Sequence, residues 1–268
     1  MIAAATTRVL GPGLVGSLRY EFLMAARRRT LWVATIPLLL LAWALAATSP
    51  GLNHVPTASG QVGAWATAMN LLVTLGVAVA LTDRFARTRR RGLGEVLDTT
   101  TAGPTRRMLG TLLGALTVAL APTAVGMLVL GGYFALTRGA VTALGWAVLA
   151  FVVIIVPAAL LATTFAATLG LLLPVPLARV VVVLAWVWAT IWNRQILPIP
   201  TLSGTLLSPL GDYPAAGWLH APPFAANRPD SWISPPLSAP NAALSVLALL
   251  VLTGVLFTCA RALRTLRP

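Results

Sequence analysis

Six stretches of the chain are long runs of apolar residues, and the short segments between them hold almost all of the charge. About 20 apolar residues are needed to cross roughly 30 Å of hydrocarbon. On that measure the runs predict membrane-spanning helices over 31–47, 63–82, 108–130, 146–172, 180–197 and 241–260. Only a short stretch around Pro174 and Pro176 parts the fourth run from the fifth, and two prolines so close favour a tight turn over one very long helix. A different periodicity precedes the first run. Leu14, Leu18 and Phe22 fall at i, i+4 and i+8 with Val15 and Ala25 beside them. Ser17, Tyr20 and Arg27 take the opposite side, with Arg19 and Glu21 at its borders. This predicts an amphipathic helix within 1–30, lying in the membrane interface with its arginines near anionic lipid head groups. The expected fold is an all-α integral membrane protein, with six helices in 31–268 and the interfacial helix before them.

Composition narrows the class. The 268 residues are 58% hydrophobic and 9% charged, with a mean hydropathy of +0.87. Soluble domains carry about 25% charged residues, so this chain cannot cover a water-facing surface. A soluble enzyme, a disordered chain and a disulfide-stapled secreted domain are all excluded. The net charge of +13 would suggest nucleic acid in a soluble protein, but here its distribution explains it. With the N-terminus placed inside, sixteen arginines fall on the cytoplasmic side, and only Arg138, Arg194 and Arg228 on the outer side. That is the positive-inside bias of a membrane protein with both termini cytoplasmic and no call on nucleic acid. Arg27–Arg29 followed by an apolar run resembles a signal peptide, yet about thirty residues precede the run, and the span is expected to stay.

Several chemistries have no residues to carry them. The chain has no lysine, so it has neither a phosphate-binding loop lysine nor a Schiff-base lysine. No Asp, Glu or His lies inside the six runs, which counts against a proton-coupled transporter. His54, His220 and Cys259 are too far apart for a metal site, and Cys259 suits a small packing residue. No nucleophile, base or carboxylate pair lies at membrane depth, so neither a catalytic site nor a directly bound cofactor is expected. Pro37, Pro122 and Pro157 are expected kinks or tolerated prolines, and Trp192 fits the outer aromatic belt.

The loop 83–107 is the most informative segment. Leu93, Val96 and Leu97 share one face of a short helix, and Glu95 and Asp98 share another. The stretch 99–103 breaks that helix, and Pro104 suits the first turn of the next. Gly110 and Gly114 then form a Gly-x-x-x-Gly pair that permits close helix approach. The segment 198–240 holds ten prolines with Tyr213, Trp218, Phe224 and Trp232 among them, a composition suited to the outer membrane interface.

The layout resembles the permease subunit of type-2 ABC exporters. The likeness rests on the amphipathic helix ending Arg-Arg-Arg-Thr-Leu-Trp, two spans, and the motif Arg-Arg-Gly-Leu-Gly-Glu-Val-Leu-Asp-Thr-Thr-Thr-Ala-Gly-Pro-Thr-Arg-Arg-Met-Leu-Gly-Thr-Leu-Leu-Gly over 90–114. The resemblance implies a coupling helix at 93–100, with Leu93, Glu95, Val96, Leu97, Asp98, Thr99 and Thr100 docking into a separate ATPase subunit that holds ATP and Mg. It implies a connecting helix carrying Leu14, Leu18, Arg19, Glu21 and Phe22, a second permease copy or related permease as partner, and re-entrant outer helices within 198–240. On this reading the chain belongs in a bacterial plasma membrane, and the lack of charge within the runs suits an apolar route for an amphipathic or lipid-like cargo, such as a drug, peptide or lipid. Two other readings fit a multi-pass chain: a secondary transporter or channel, and a membrane assembly or immunity factor that transports nothing.

Overall fold

The computed structural model describes residues 12–87, 103–192, 199–223 and 232–266, and the regular structure among them is entirely helical. Helix α1 covers Pro12–Ala26, α2 Arg29–Thr48, the short α3 Pro50–Asn53 and α4 Ala58–Leu81. A short α5 (Arg84–Arg87) is followed by α6, Pro104–Arg138. Then come α7 (Ala143–Leu172), α8 (Val175–Thr190), α9 (Asp212–Leu219) and α10 (Ala239–Leu266).

Among the described residues, five helices are long and apolar enough to cross a membrane: Arg29–Thr48, Ala58–Ala86, Pro104–Arg138, Ala143–Leu172 and Ala239–Arg264. The run expected to form the fifth of six spans is shorter than its apolar length suggests. Helix α8 has 16 residues, about 24 Å at 1.5 Å per residue, against the roughly 30 Å of a hydrocarbon core. Its start is set by proline, with Pro174 as N-cap and Pro176 in the first turn. Its end is set by competition for its last carbonyls. Thr201 Oγ1 donates to the carbonyl of Trp188, and Ser203 Oγ donates to that of Thr190 at 3.0 Å. Side chains from ten or more residues downstream thus satisfy groups that a longer helix would have bonded itself.

Helix α4 is the hub, touching α2, α6, α7, α8 and α9. Small residues set its approach distances. A Cβ on Gly76 would lie 3.0 Å from the carbonyl oxygen of Ala34, so α2 crosses α4 backbone to side chain. Helices α6 and α7 form a hairpin closed by Gly139, whose φ of 64° ends α6 in a left-handed turn. Helix α7 contains one π-helical turn, Phe151–Ile155, just ahead of Pro157. Pro157 has no N–H to offer the carbonyl of Val153, and one residue earlier the Val156 N–H reaches five residues back, to Phe151. Helix α10 packs mainly on α7 and α9, and its outer side is apolar and exposed.

The outward surface is apolar. Leu40, Val125, Leu184, Leu247 and Val251 are all more than half exposed. Water would penalise such a surface and hydrocarbon would not, so the chain has the surface of a multi-pass membrane protein.

Candidate functional site

Two places combine buried polar groups with close backbone approach. The first lies where α1 meets the beginning of α6. The two helices run in the same direction, Ser17 lying by Arg107 and Gly110, and Glu21 by Thr111 and Gly114. A Cβ on Gly110 would come within 2.7 Å of Ser17 Cβ, and one on Gly114 within 2.6 Å of the Leu18 carbonyl oxygen. Only glycine admits α1 this closely. Arg84 Nη1 donates to Glu21 Oε2 at 3.0 Å, and Thr111 Oγ1 donates to Glu21 Oε1 at 3.3 Å. Beneath this ion pair Phe85 packs with Met108, Leu112, Ala167, Leu171 and Ala260, and sets its ring edge against Phe257 at 6.3 Å. Helices α1, α5, α6, α7 and α10 therefore converge on two residues, Arg84 and Phe85.

Arg84 is 4% exposed. A buried ion pair contributes little net stability, but removing one partner strands a charge at a cost of about 3–5 kcal/mol. Burial raises the Glu21 carboxyl above the ordinary carboxylate range, against the opposing pull of Arg84, the Thr111 hydroxyl and Arg28. A carboxyl raised in this way favours folding fully below its unfolded pKa and loses that contribution as pH rises through the folded value. Thermal stability in detergent should therefore decline across that window, and Glu21→Gln, which cannot titrate, should flatten the step. An unaltered pH profile in the variant would show that Glu21 ionisation is not linked to folding.

The inward face of α1 differs from the one its apolar spacing predicts. Ser17 and Glu21 face α6, Leu14 and Leu18 are half-buried, and Arg19 is exposed. Phe22, Leu23 and Met24 are 40–48% exposed. The glycine pair and Arg84 supply close packing and a charge partner, which outweigh the apolar stripe. Of that stripe Phe22 is exposed, Leu14, Val15 and Leu18 are half-buried, and Ala25 is fully buried.

The second place is the segment before α10, which folds back into the bundle. Asn70 Nδ2 donates to the carbonyls of Pro209 and Leu210, both at 2.9 Å, and Thr74 Oγ1 donates to Asn70 Oδ1 at 2.6 Å. Asn70 is wholly buried halfway along α4. Gly211, with a φ of 91°, leaves room for the π-helical turn: a Cβ there would lie 2.6 Å from Ile154 Cγ2. The segment is tied at its other corners by Leu206 N–H to Ile233, Ser245 Oγ to Leu206, and Tyr213 OH to Pro235.

The coupling-helix residues Leu93, Glu95, Val96, Leu97, Asp98, Thr99 and Thr100 lie outside the described residues. Among the described residues no group of three or more His, Cys, Asp or Glu could hold a metal ion. Arg84 and Asn70 were not conspicuous in the sequence. Arg84 is one arginine in a cluster, and its partner lies 63 positions away. Asn70 did leave a signal, as an amide inside an apolar run, where a polar group needs a partner. No family model, curated protein or solved structure matches the chain.

Proposed function

We propose that the chain is the permease subunit of a type-2 ABC exporter, working with a separate ATPase and a second permease copy or relative. The observation that carries this reading is the junction at Arg84. Arg84 stands in the loop 83–107, nine residues before the expected coupling helix, and is bonded to α1, while its neighbour Phe85 packs on α6, α7 and α10. A displacement passed to Arg84 and Phe85 would reach α1 through Glu21 and the spanning helices through Phe85. In this reading α8 is a sixth, short span, both termini are cytoplasmic, and 198–240 is a re-entrant outer segment. The buried bonds from Asn70 support that last point, because irregular backbone at membrane depth needs protein partners. The lack of ionisable residues in the spans fits an apolar route for an amphipathic cargo in a bacterial plasma membrane.

The test is purification of the tagged chain in mild detergent, followed by mass spectrometry. An ATPase subunit in about equal amount is the expected result, and a clean, solitary chain with native partners available would overturn the proposal. Within the complex, Glu95→Arg should uncouple ATP hydrolysis from export while leaving the protein inserted. Wild-type export in that variant would remove the coupling role from 93–100.

A further inference from the structure

At the Arg84 end of the bundle the helix ends share one level. Phe85, Met108, Leu171 and Ala260, from α5, α6, α7 and α10, pack in a single cluster. Around that level stand six exposed arginines: Arg19 on α1, Arg27 in the turn after it, Arg29 at the start of α2, Arg106 on α6, Arg179 on α8 and Arg261 on α10. With no lysine in the chain, all of this charge is guanidinium. A guanidinium keeps its charge at a membrane surface and offers a fork of donors that matches a phosphate.

Carboxylates do not neutralise the six. Glu21 and Asp83 are the acids described at this level, and Glu21 is held by the buried Arg84. None of the six is paired with a carboxylate among the described residues. The positive-inside bias accounts for charge at this end, but not for what surrounds it once the chain is folded. Two observations identify those surroundings. Leu23, Val33 and Val183 are exposed one helical turn from Arg19, Arg29 and Arg179, so the arginines stand where an apolar surface gives way to water. The six also go around the bundle. Helices α2, α6 and α8 touch the hub α4 directly, and α1 and α10 lie outside α6 and α7. A docked protein would cover one side of such a ring, whereas lipid headgroups encircle it.

We propose that this ring binds a shell of anionic phospholipids, with phosphates at the arginines and acyl chains along the apolar helix faces. The inference needs a membrane around the chain but no ATPase, so it stands or falls apart from the transport reading. It is tested by reconstituting the full-length protein with spin-labelled phosphatidylglycerol or phosphatidylcholine of identical acyl chains. Electron spin resonance then gives the share of each lipid immobilised at the protein. Phosphatidylglycerol should associate about fivefold more strongly at low salt, and about 1 M sodium chloride should bring the ratio near one. Arg29→Gln, Arg106→Gln and Arg261→Gln combined should lower the ratio about twofold, and Arg138→Gln at the other end should leave it unchanged. The triple variant should melt like the wild type in detergent, because these side chains hold no bond among the described residues. A large fall in Tm would give them partners within the fold and overturn the assignment. Equal association of the two lipids with the wild type would overturn it as well, as would a preference that the triple variant keeps or that Arg138→Gln lowers equally. Loss of a co-purifying ATPase from the triple variant, with no lipid preference in the wild type, would make the ring a protein-docking surface instead.

Discussion

Replacing Asn70 with leucine should lower the melting temperature in detergent by on the order of 10 °C. The side chain is wholly buried and donates both amide hydrogens to carbonyls of Pro209 and Leu210. Leucine would leave two carbonyls without donors in a site closed to water, at about 1–3 kcal/mol each. Thr74 would lose its acceptor too, since its hydroxyl bonds to Asn70 Oδ1. Asn70→Asp is the sharper comparison, because it keeps the shape and removes the donors. An aspartate there offers the two carbonyl oxygens at most one hydrogen in place of two, so this variant should also melt well below the wild type. Thr74→Val should cost far less, about 1 kcal/mol. A melting temperature for Asn70→Leu within a degree or two of the wild type would show that 199–211 does not hang from this amide.

The second large effect is expected at Gly110 and Gly114. Valine at both positions should displace α1 from α6, because even a methyl group at either would overlap α1 backbone or Cβ atoms. Overpacking of this kind costs about 1–3 kcal/mol per site, so the pair should cut the docked population by more than tenfold. The measurement is cross-linking between Ser17→Cys and Thr111→Cys in a Cys259→Ala background. Cross-linking should be efficient with the glycines present and nearly absent without them. Undocking also takes Glu21 from Arg84, so the variant should melt earlier as well as cross-link less. Full cross-linking in the valine pair would mean that α1 is held by other contacts.

The apolar runs made most of the helices legible because a spanning helix is specified by length and composition alone. The turn at Pro174 and Pro176 was equally legible, since proline acts locally. The end of α8 was not, because Thr201 and Ser203 reach its carbonyls from the far side of a loop. Gly110 and Gly114 announced a close approach without saying to what, and the partner proved to be α1. For α1 itself the apolar periodicity gave the helix but not its inward face. A single buried cation and two glycines decided that face, and neither enters a periodicity. An absence of acids and histidines in the spans says nothing about amides: Asn70 signalled the need for a partner, and only the fold shows that the partners are Pro209, Leu210 and Thr74.

The unequal lengths of α6 and α8 bear on the surrounding lipid. At 35 and 16 residues they measure about 52 and 24 Å, on either side of a hydrocarbon core of roughly 30 Å. Both belong to one bundle around α4, so no flat slab of uniform thickness matches them together. With α8 as the sixth span proposed above, the bilayer would have to thin beside it, while α6 tilts or extends beyond the acyl region. Each ångström of mismatch costs a fraction of a kcal/mol, and that cost is borne by acyl chains rather than by the fold. On that six-span reading the protein would deform its membrane unevenly around its circumference, and short-chain lipids would be its preferred neighbours on the α8 side.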